Sequence, residues 1–202
     1  MNIVYKLGNS IYLNITNACP CDCIFCIRNT HDGVGSADNL WLEHEPSLDE
    51  IKHAIDKYNF DVVNEVVFCG FGEPMERADD VIKTAEYLRA NKINNNNKAS
   101  LRLNTNGLAL LLHPGFDIAQ LEIFDVISVS LNADDAEEYL RLTQSRFGLE
   151  SFDAVLGFAR EAAKVSRVVF SLVEGTVDPA RVERCGSIAA GMGIPLKIRT
   201  AE

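Results

Sequence analysis

The chain has 202 residues, of which 47% are hydrophobic and 24% charged, and its formal net charge is -10. That composition fits a globular chain able to bury one continuous core, and it excludes a disordered chain. The negative balance disfavours binding to a bare phosphate backbone, and nucleic acid is not an expected partner. The longest apolar runs, such as residues 66–68 and 108–112, fall far short of the about 20 residues that cross a membrane. No secretory leader is visible behind Met1, so the cytoplasm is the expected compartment.

Period-two alternation of Ile11, Leu13 and Ile15 predicts a first strand over 11–16. Four cysteines follow within eight residues: Cys19, Cys21, Cys23 and Cys26. After a Gly-containing loop, Ser47-Leu48-Asp49-Glu50 has the form of a capping box. The helix it opens carries Leu48, Ile51, Ile55 and Tyr58 on one face. A second strand is expected over 65–69, and Gly70-Phe71-Gly72-Glu73-Pro74 is the loop behind it. A helix over 79–90 leads to a solvated turn at 94–97, a third strand over 99–104 and the turn Thr105-Asn106-Gly107. A fourth strand spans 124–130, with Ser128, Ser130 and Asn132 on one face. Helices over 133–142 and 151–164 break near Gly148. A fifth strand covers 168–173. Asp178-Pro179 then starts a helix that runs to about Met192 and stops at Gly193, ahead of a sixth strand over 194–199.

Six short apolar strands alternating with helices indicate a parallel sheet covered by helices. Six units are too few for the closed eight-stranded barrel. An α/β fold of partial, open (β/α)6 barrel type fits the count, as one domain over residues 1–202. Polar and Gly-rich segments recur after the first four strands, and the C-terminal edge of a parallel sheet is where the working site of such a fold lies.

In a reducing compartment, a dense cysteine cluster points to metal rather than disulfides. Cys19-x3-Cys23-x2-Cys26 offers three thiolates, soft ligands that suit an iron-sulfur cluster or zinc. Three ligands to a four-iron cube leave one iron free for a chelating small molecule. A structural zinc site would need a fourth ligand, for which only Cys21 is at hand. A dithiol redox pair would use Cys23 and Cys26 and leave Cys19 unexplained. Cys69 and Cys185 stand apart and are expected to be buried core thiols. His31, His44, His53 and His113 share no metal-ligand spacing.

Cys-x3-Cys-x2-Cys with Phe25 before the last cysteine resembles the signature of the radical S-adenosylmethionine (SAM) superfamily. The resemblance implies that Cys19, Cys23 and Cys26 hold a 4Fe-4S cluster, with Cys21 outside the ligand set. It places the methionine part of SAM on the open iron and Phe25 against the adenine. Gly72-Glu73-Pro74 is similar to the family segment whose glutamate meets the methionine amino group, although Phe71 replaces the family's first glycine. Thr105-Asn106-Gly107 matches a segment close to the cofactor. Ser130 and Asn132 correspond to the face that donates to the ribose hydroxyls or the methionine carboxylate. Arg141, farther on, reads as a solvated helix residue.

Residues 5–16, Cys26-Ile27-Arg28-Asn29 and residues 40–47 further resemble the TatD-associated radical SAM proteins, a family name that defines no reaction. These resemblances imply an enzyme that cleaves SAM reductively to a 5'-deoxyadenosyl radical, which takes hydrogen from an unidentified substrate. They imply a flavodoxin- or ferredoxin-like one-electron reductant, and a protein partner, large substrate or dimer mate over the open barrel edge. No residue is assigned to catalysis on the substrate, and no auxiliary cluster is expected. A non-catalytic iron-sulfur carrier and a zinc-stabilised binding module are the rival readings.

Overall fold

A computed structural model of the chain describes residues 1–93 and 99–200. Its sheet begins with a hairpin, β1 (Val4–Leu7) and β2 (Ser10–Leu13), paired antiparallel through Leu7 and Ser10. β3 (Glu65–Phe68), β4 (Ser100–Thr105), β5 (Val126–Ser130), β6 (Arg167–Val173) and β7 (Leu196–Arg199) then add one after another, each parallel to the last. The strand order is sequential and β1 does not pair with β7 among the described residues, so the sheet stays open. This is the partial barrel expected, with one strand more.

The additional strand is β1. Gly8 takes φ +57° in a two-residue Gly8-Asn9 turn, a conformation that L side chains rarely adopt. A Gly-Asn pair between apolar stretches is a hairpin signal in its own right. The first expected strand also ends early, at Leu13, with Asn14 just past the paired residues. Its side chain donates to Leu40 O at 2.7 Å and its backbone N–H to Ile3 O at 2.8 Å.

β5 is buried at Val126, Ile127, Ser128 and Val129. A strand covered on both faces can be apolar throughout, which is why it shows little alternation. The covering helices are α1 (Leu48–Asp56), α2 (Ala78–Asn91), the single turn α3 (Ala109–Leu112), α4 (Ala136–Thr143), α5 (Glu150–Ala162) and α6 (Pro179–Gly191). α1 starts at the capping box, where Ser47 Oγ accepts from Glu50 N and Glu50 Oε2 accepts from Ser47 N. α6 starts with Asp178 accepting from Arg181 N at 2.9 Å and Pro179 in its first turn. α5 buries Phe152, Val155, Phe158, Ala159 and Ala162 on one face. Each large apolar side chain buried this way contributes roughly 1.5–3 kcal/mol. Cys185 lies on the inner face of α6 and is fully buried, as expected of a core thiol.

α4 begins three residues later than its pattern suggested. Asn132 takes φ +59°, and Asp135 becomes the N-cap, accepting from Glu138 N at 2.7 Å. The solvated turn expected at 94–97 lies outside the described residues. Parallel pairing puts Leu13 beside Phe68, Phe68 beside Leu103, Thr105 beside Val129 and Ser130 beside Ser171. The loops after β2, β3, β4 and β5 therefore leave the sheet at one common edge.

Candidate functional site

The cysteine loop leaves β2 at this edge and is laced to the segment after α4. Asp22 N donates to Thr143 O at 2.9 Å, Ile24 N to Leu142 O at 3.0 Å, and Arg146 N to Pro20 O at 2.9 Å. Cys19, Cys23 and Cys26 are half-buried at the loop's rim, whereas Cys21 is turned inward and only 5% exposed. All four are free thiols. Cys19 and Cys21 are hydrogen-bonded, which lowers Cys19 to about 7 against its burial. Cys21 is pushed far up by its bonds to Cys19 and Cys23, then by burial. Burial also pushes Cys26 up. Among the described residues no three Cys, His, Asp or Glu side chains close around a single metal ion. The loop instead presents three separate rim thiols, a donor set of the kind that ligates different corners of an iron-sulfur cube.

Arg28 lies beneath the loop, with its side chain 14% exposed. It donates to Cys21 O at 3.2 Å and to the Asp22 carboxylate at 3.1 Å, and its charge acts on Cys26 and Cys19. A guanidinium here offsets negative charge gathered at the thiols. No spacing signal marks Arg28 for this role beyond its being a cation two residues after Cys26.

The loop after β3 docks against the cysteine loop through its backbone. Gly72 N donates to Thr16 O at 3.1 Å and Glu73 N to Ala18 O at 2.8 Å. A Cβ on Gly72 would lie against Thr16 O and 2.6 Å from Ala18 O, so no side chain fits there. Gly70 is equally confined by the Asn14 side chain. Phe71 packs into a small cluster with Tyr5, Ala37 and Leu40, and meets Trp41 edge-on at 5.1 Å.

Glu73 is 4% exposed. Its Oε1 accepts from Thr105 Oγ1 at 2.7 Å and from Met75 N at 3.0 Å, and its Oε2 accepts from Asn106 N at 2.7 Å. Burial nevertheless raises it to about 8, and the Cys19 charge adds to the rise. Such an acid gains from a cation placed beside it. The Asn106 side chain turns the other way, with Nδ2 4.0 Å from Cys19 Sγ and 3.9 Å from Cys21 Sγ. Gly107 follows at φ +79°, packed on Val129 and Val155.

At the end of β5, Ser128 is buried, Ser130 is half-buried, and Asn132 is 4% exposed in its left-handed conformation. The chain is pinned around it by Leu131 N to Ser171 O at 2.9 Å and Ala133 N to Leu131 O at 2.7 Å. Phe25 is half-buried against the main core. The structure thus joins Cys19, Glu73, Thr105 and Asn106 through contacts. It places Phe25 on the cysteine loop, and Ser130 and Asn132 at the same sheet edge. Arg141 is exposed and paired with Glu138 at 2.6 Å, as a solvated helix arginine should be. Cys69, expected to be buried, is half-buried at the end of β3, where its carbonyl accepts from Tyr5 Oη at 3.2 Å.

Two polar groups at this edge carry no motif signal in the sequence. Tyr139 Oη and Asn104 Oδ1 are buried without a hydrogen-bond partner. Burial pushes the Tyr139 phenol well up, and its neighbours Cys21, Cys23, Glu73 and Cys19 push it the same way. A cleft of about 600 Å³, lined by Glu76, Asp79, Asp80, His113, Phe116 and Asp117 among others, opens beside the turn that follows Glu73 rather than at the thiols.

The profile of the Radical SAM superfamily matches residues 13–188. A probable dual-specificity RNA methyltransferase RlmN of Lachnospira eligens is 26% identical over 178 residues, covering 86% of this chain and 48% of the relative. The chain spans about half the length of these RlmN relatives. In fold it resembles Streptococcus suis SuiB bound to S-adenosylmethionine, with TM-score 0.66, 14% identity, and 95% of this chain and 40% of SuiB covered. It also resembles TYW1 with a lysine-pyruvate adduct bound, with TM-score 0.64, 14% identity, and 96% of this chain and 65% of TYW1 covered.

Proposed function

Because the chain belongs to the radical SAM superfamily, whose enzymes use a 4Fe-4S cluster and S-adenosylmethionine, we propose that it cleaves S-adenosylmethionine reductively at a cluster held by Cys19, Cys23 and Cys26. One observation carries this reading: the buried Glu73 carboxylate is anchored to Thr105 and Asn106, and Asn106 in turn faces the Cys19 sulfur. Three loops are thereby locked into one site that contains thiolate ligands and a buried acid in need of a cation. The residues present fit the group. Three rim thiols form a soft donor set, Arg28 supplies countercharge, and Gly72 lets the two loops meet without a side chain between them.

A cluster held by Cys19, Cys23 and Cys26 would supply the one electron needed to cleave S-adenosylmethionine to methionine and a 5'-deoxyadenosyl radical capable of taking a hydrogen atom from a substrate. The protein's own residues position the reactants. Glu73 receives the methionine ammonium, a charge-assisted contact that stabilises both partners. Ser130 and Asn132 donate to the ribose hydroxyls or the methionine carboxylate. Phe25 lies along the adenine, and Thr105 and Asn106 hold Glu73 in place. Residues 1–202 act as one radical SAM core domain.

The substrate is one that a protein of net charge -10 accepts without drawing in a bare phosphate backbone. That argues against carrying over the RNA methyltransferase activity of relatives twice as long, and the resemblance to TatD-associated radical SAM proteins adds no reaction. A flavodoxin- or ferredoxin-like protein supplies the electron, in a reducing compartment such as the cytoplasm. A partner protein, a large substrate or a second copy covers the open edge. No described helix is long and apolar enough to cross a membrane.

Anaerobic reconstitution with iron and sulfide, followed by dithionite and S-adenosylmethionine, tests the reading. Four irons per chain and release of 5'-deoxyadenosine are expected. Four irons without cleavage would establish an electron carrier, and one tightly held zinc a structural module.

A further inference from the structure

A parallel sheet is ordinarily covered on both faces and apolar on both. In this sheet one face follows that rule. Leu103, Val129, Phe170 and Leu172 are fully buried in the main core. The opposite face is polar. Side chains paired in register share a face and alternate along each strand. Register sets Asn104 beside Ser128, Ser130 beside Ser171, and Ser171 beside Lys197. Arg199 follows Lys197 on the same face.

Part of this polar face is buried. Ser128 is 8% and Ser171 1% exposed, and the Asn104 Oδ1 acceptor is buried without a hydrogen-bond partner. Buried acceptors are nearly always satisfied, so an orphan on a polar sheet face points to a ligand that completes it. Towards β1 and β2 the face is closed by Ala37, Leu40 and Phe71, which pack with Tyr5 and Tyr12. Towards β7 it ends at Lys197 and Arg199. Both are exposed, and neither forms an ion pair among the described residues. Arg102, nearer the start of its strand on the same face, is already paired with Glu65 at 2.7 Å. The free charge at the β7 end is therefore positive, whereas the buried acid Glu73 lies across the sheet, after β3.

Resting on the proposed function for the reaction it serves, we infer that this polar face binds the substrate, and that the substrate is a small acid whose carboxylate or phosphate is held by Lys197 and Arg199. Ser171 and the Asn104 acceptor meet its hydrogen-bonding part. Asn104 and Lys197 are three strand spacings apart, about 14 Å along the sheet, which suits a metabolite-sized molecule. Two cations on one strand match a single acid group and not a run of phosphates, in keeping with the net charge of -10. Ser130, assigned to the cofactor, is in register with Ser171, so the acid lies beside the cofactor.

The test uses the full chain, reconstituted anaerobically, as wild type, Lys197→Gln, Arg199→Gln and, as a control at the exposed end of α5, Lys164→Gln. Isothermal titration calorimetry at low salt reads the binding of inorganic phosphate and, separately, of succinate. The expected result is one site per chain for at least one probe, with affinity roughly tenfold lower in Lys197→Gln and in Arg199→Gln and unchanged in Lys164→Gln. The tighter probe tells a phosphate substrate from a carboxylate. Equal affinities in wild type and both site variants overturn the inference, as does the absence of binding by either probe to the loaded wild type. A parallel loss of S-adenosylmethionine affinity in the two site variants also overturns it, because the cations would then serve the cofactor's own carboxylate. A wild type that binds the anion at these residues but takes up no four-iron cluster overturns the proposed function instead and leaves the anion site standing.

Discussion

The Glu73 carboxylate accepts the backbone N–H of Asn106 at 2.7 Å, while the side chain of that same asparagine stands 4.0 Å from the Cys19 sulfur. One residue therefore connects the buried acid of the loop after β3 to the first thiol of the loop after β2. The buried acid and the thiol loop are coupled through it.

Replacing Glu73 should separate binding from cluster loading. Glu73→Gln removes the charge proposed to receive the methionine ammonium and leaves the thiols untouched. A hydrogen bond to a charged group is worth about 1.5–3 kcal/mol, which corresponds to roughly 10–150-fold weaker S-adenosylmethionine binding. Equilibrium dialysis against reconstituted protein measures the affinity, and an iron count should stay at the wild-type value.

The same residue should make the cluster-free protein pH-sensitive. Glu73 is raised from an ordinary carboxylate value of 4.5 to about 8. Between those values the folded chain holds a proton that the unfolded chain has released, so stability falls as pH rises from about 4.5 to about 8 and levels off above. Cys19, lowered to about 7, acts in the opposite sense, adding stability as pH climbs from 7 towards 9. Subtracting the melting curves of Glu73→Gln from those of wild type across this range isolates the falling component.

Asn132 combines an unusual backbone with a proposed ligand contact, and two substitutions divide them. Asn132→Ala forces an alanine to φ +59° and should cost about 1–2 kcal/mol of stability along with cofactor affinity. Asn132→Gly accepts that conformation freely and should lose affinity while keeping the wild-type melting temperature within a few degrees. Thermal melts paired with a binding isotherm check both.

Gly72→Ala should damage the site without removing any donor. The added methyl would press on the Thr16 carbonyl and come within 2.6 Å of that of Ala18, so the two loops must part. Destabilisation of about 2 kcal/mol or more is expected, with reduced iron uptake on reconstitution, because the contact is backbone against backbone and cannot be relieved by a rotamer change.

Much of this was readable from the residues. The strand-helix rhythm gave the parallel sheet, and the capping box at Ser47 and the Asp178-Pro179 cap marked two helix starts, because both signals are local. The thiol loop and Gly72-Glu73-Pro74 were legible for the same reason. β1 was missed because the Gly8-Asn9 pair was not taken as a hairpin turn. Arg28, Tyr139 and Asn104 carry no motif, and their relevance comes from burial and from neighbours distant in sequence. Cys21 could be set aside as a ligand by spacing, but its inward orientation against Cys19, Cys23 and Asn106 is a product of the fold.

The account depends on an iron that remains open for S-adenosylmethionine. Electron paramagnetic resonance of the reduced, reconstituted protein, recorded before and after adding S-adenosylmethionine carrying a nitrogen-15 amino group, addresses this directly. The account predicts an altered cluster signal with hyperfine coupling to that nitrogen. An unchanged spectrum at saturating S-adenosylmethionine would contradict it.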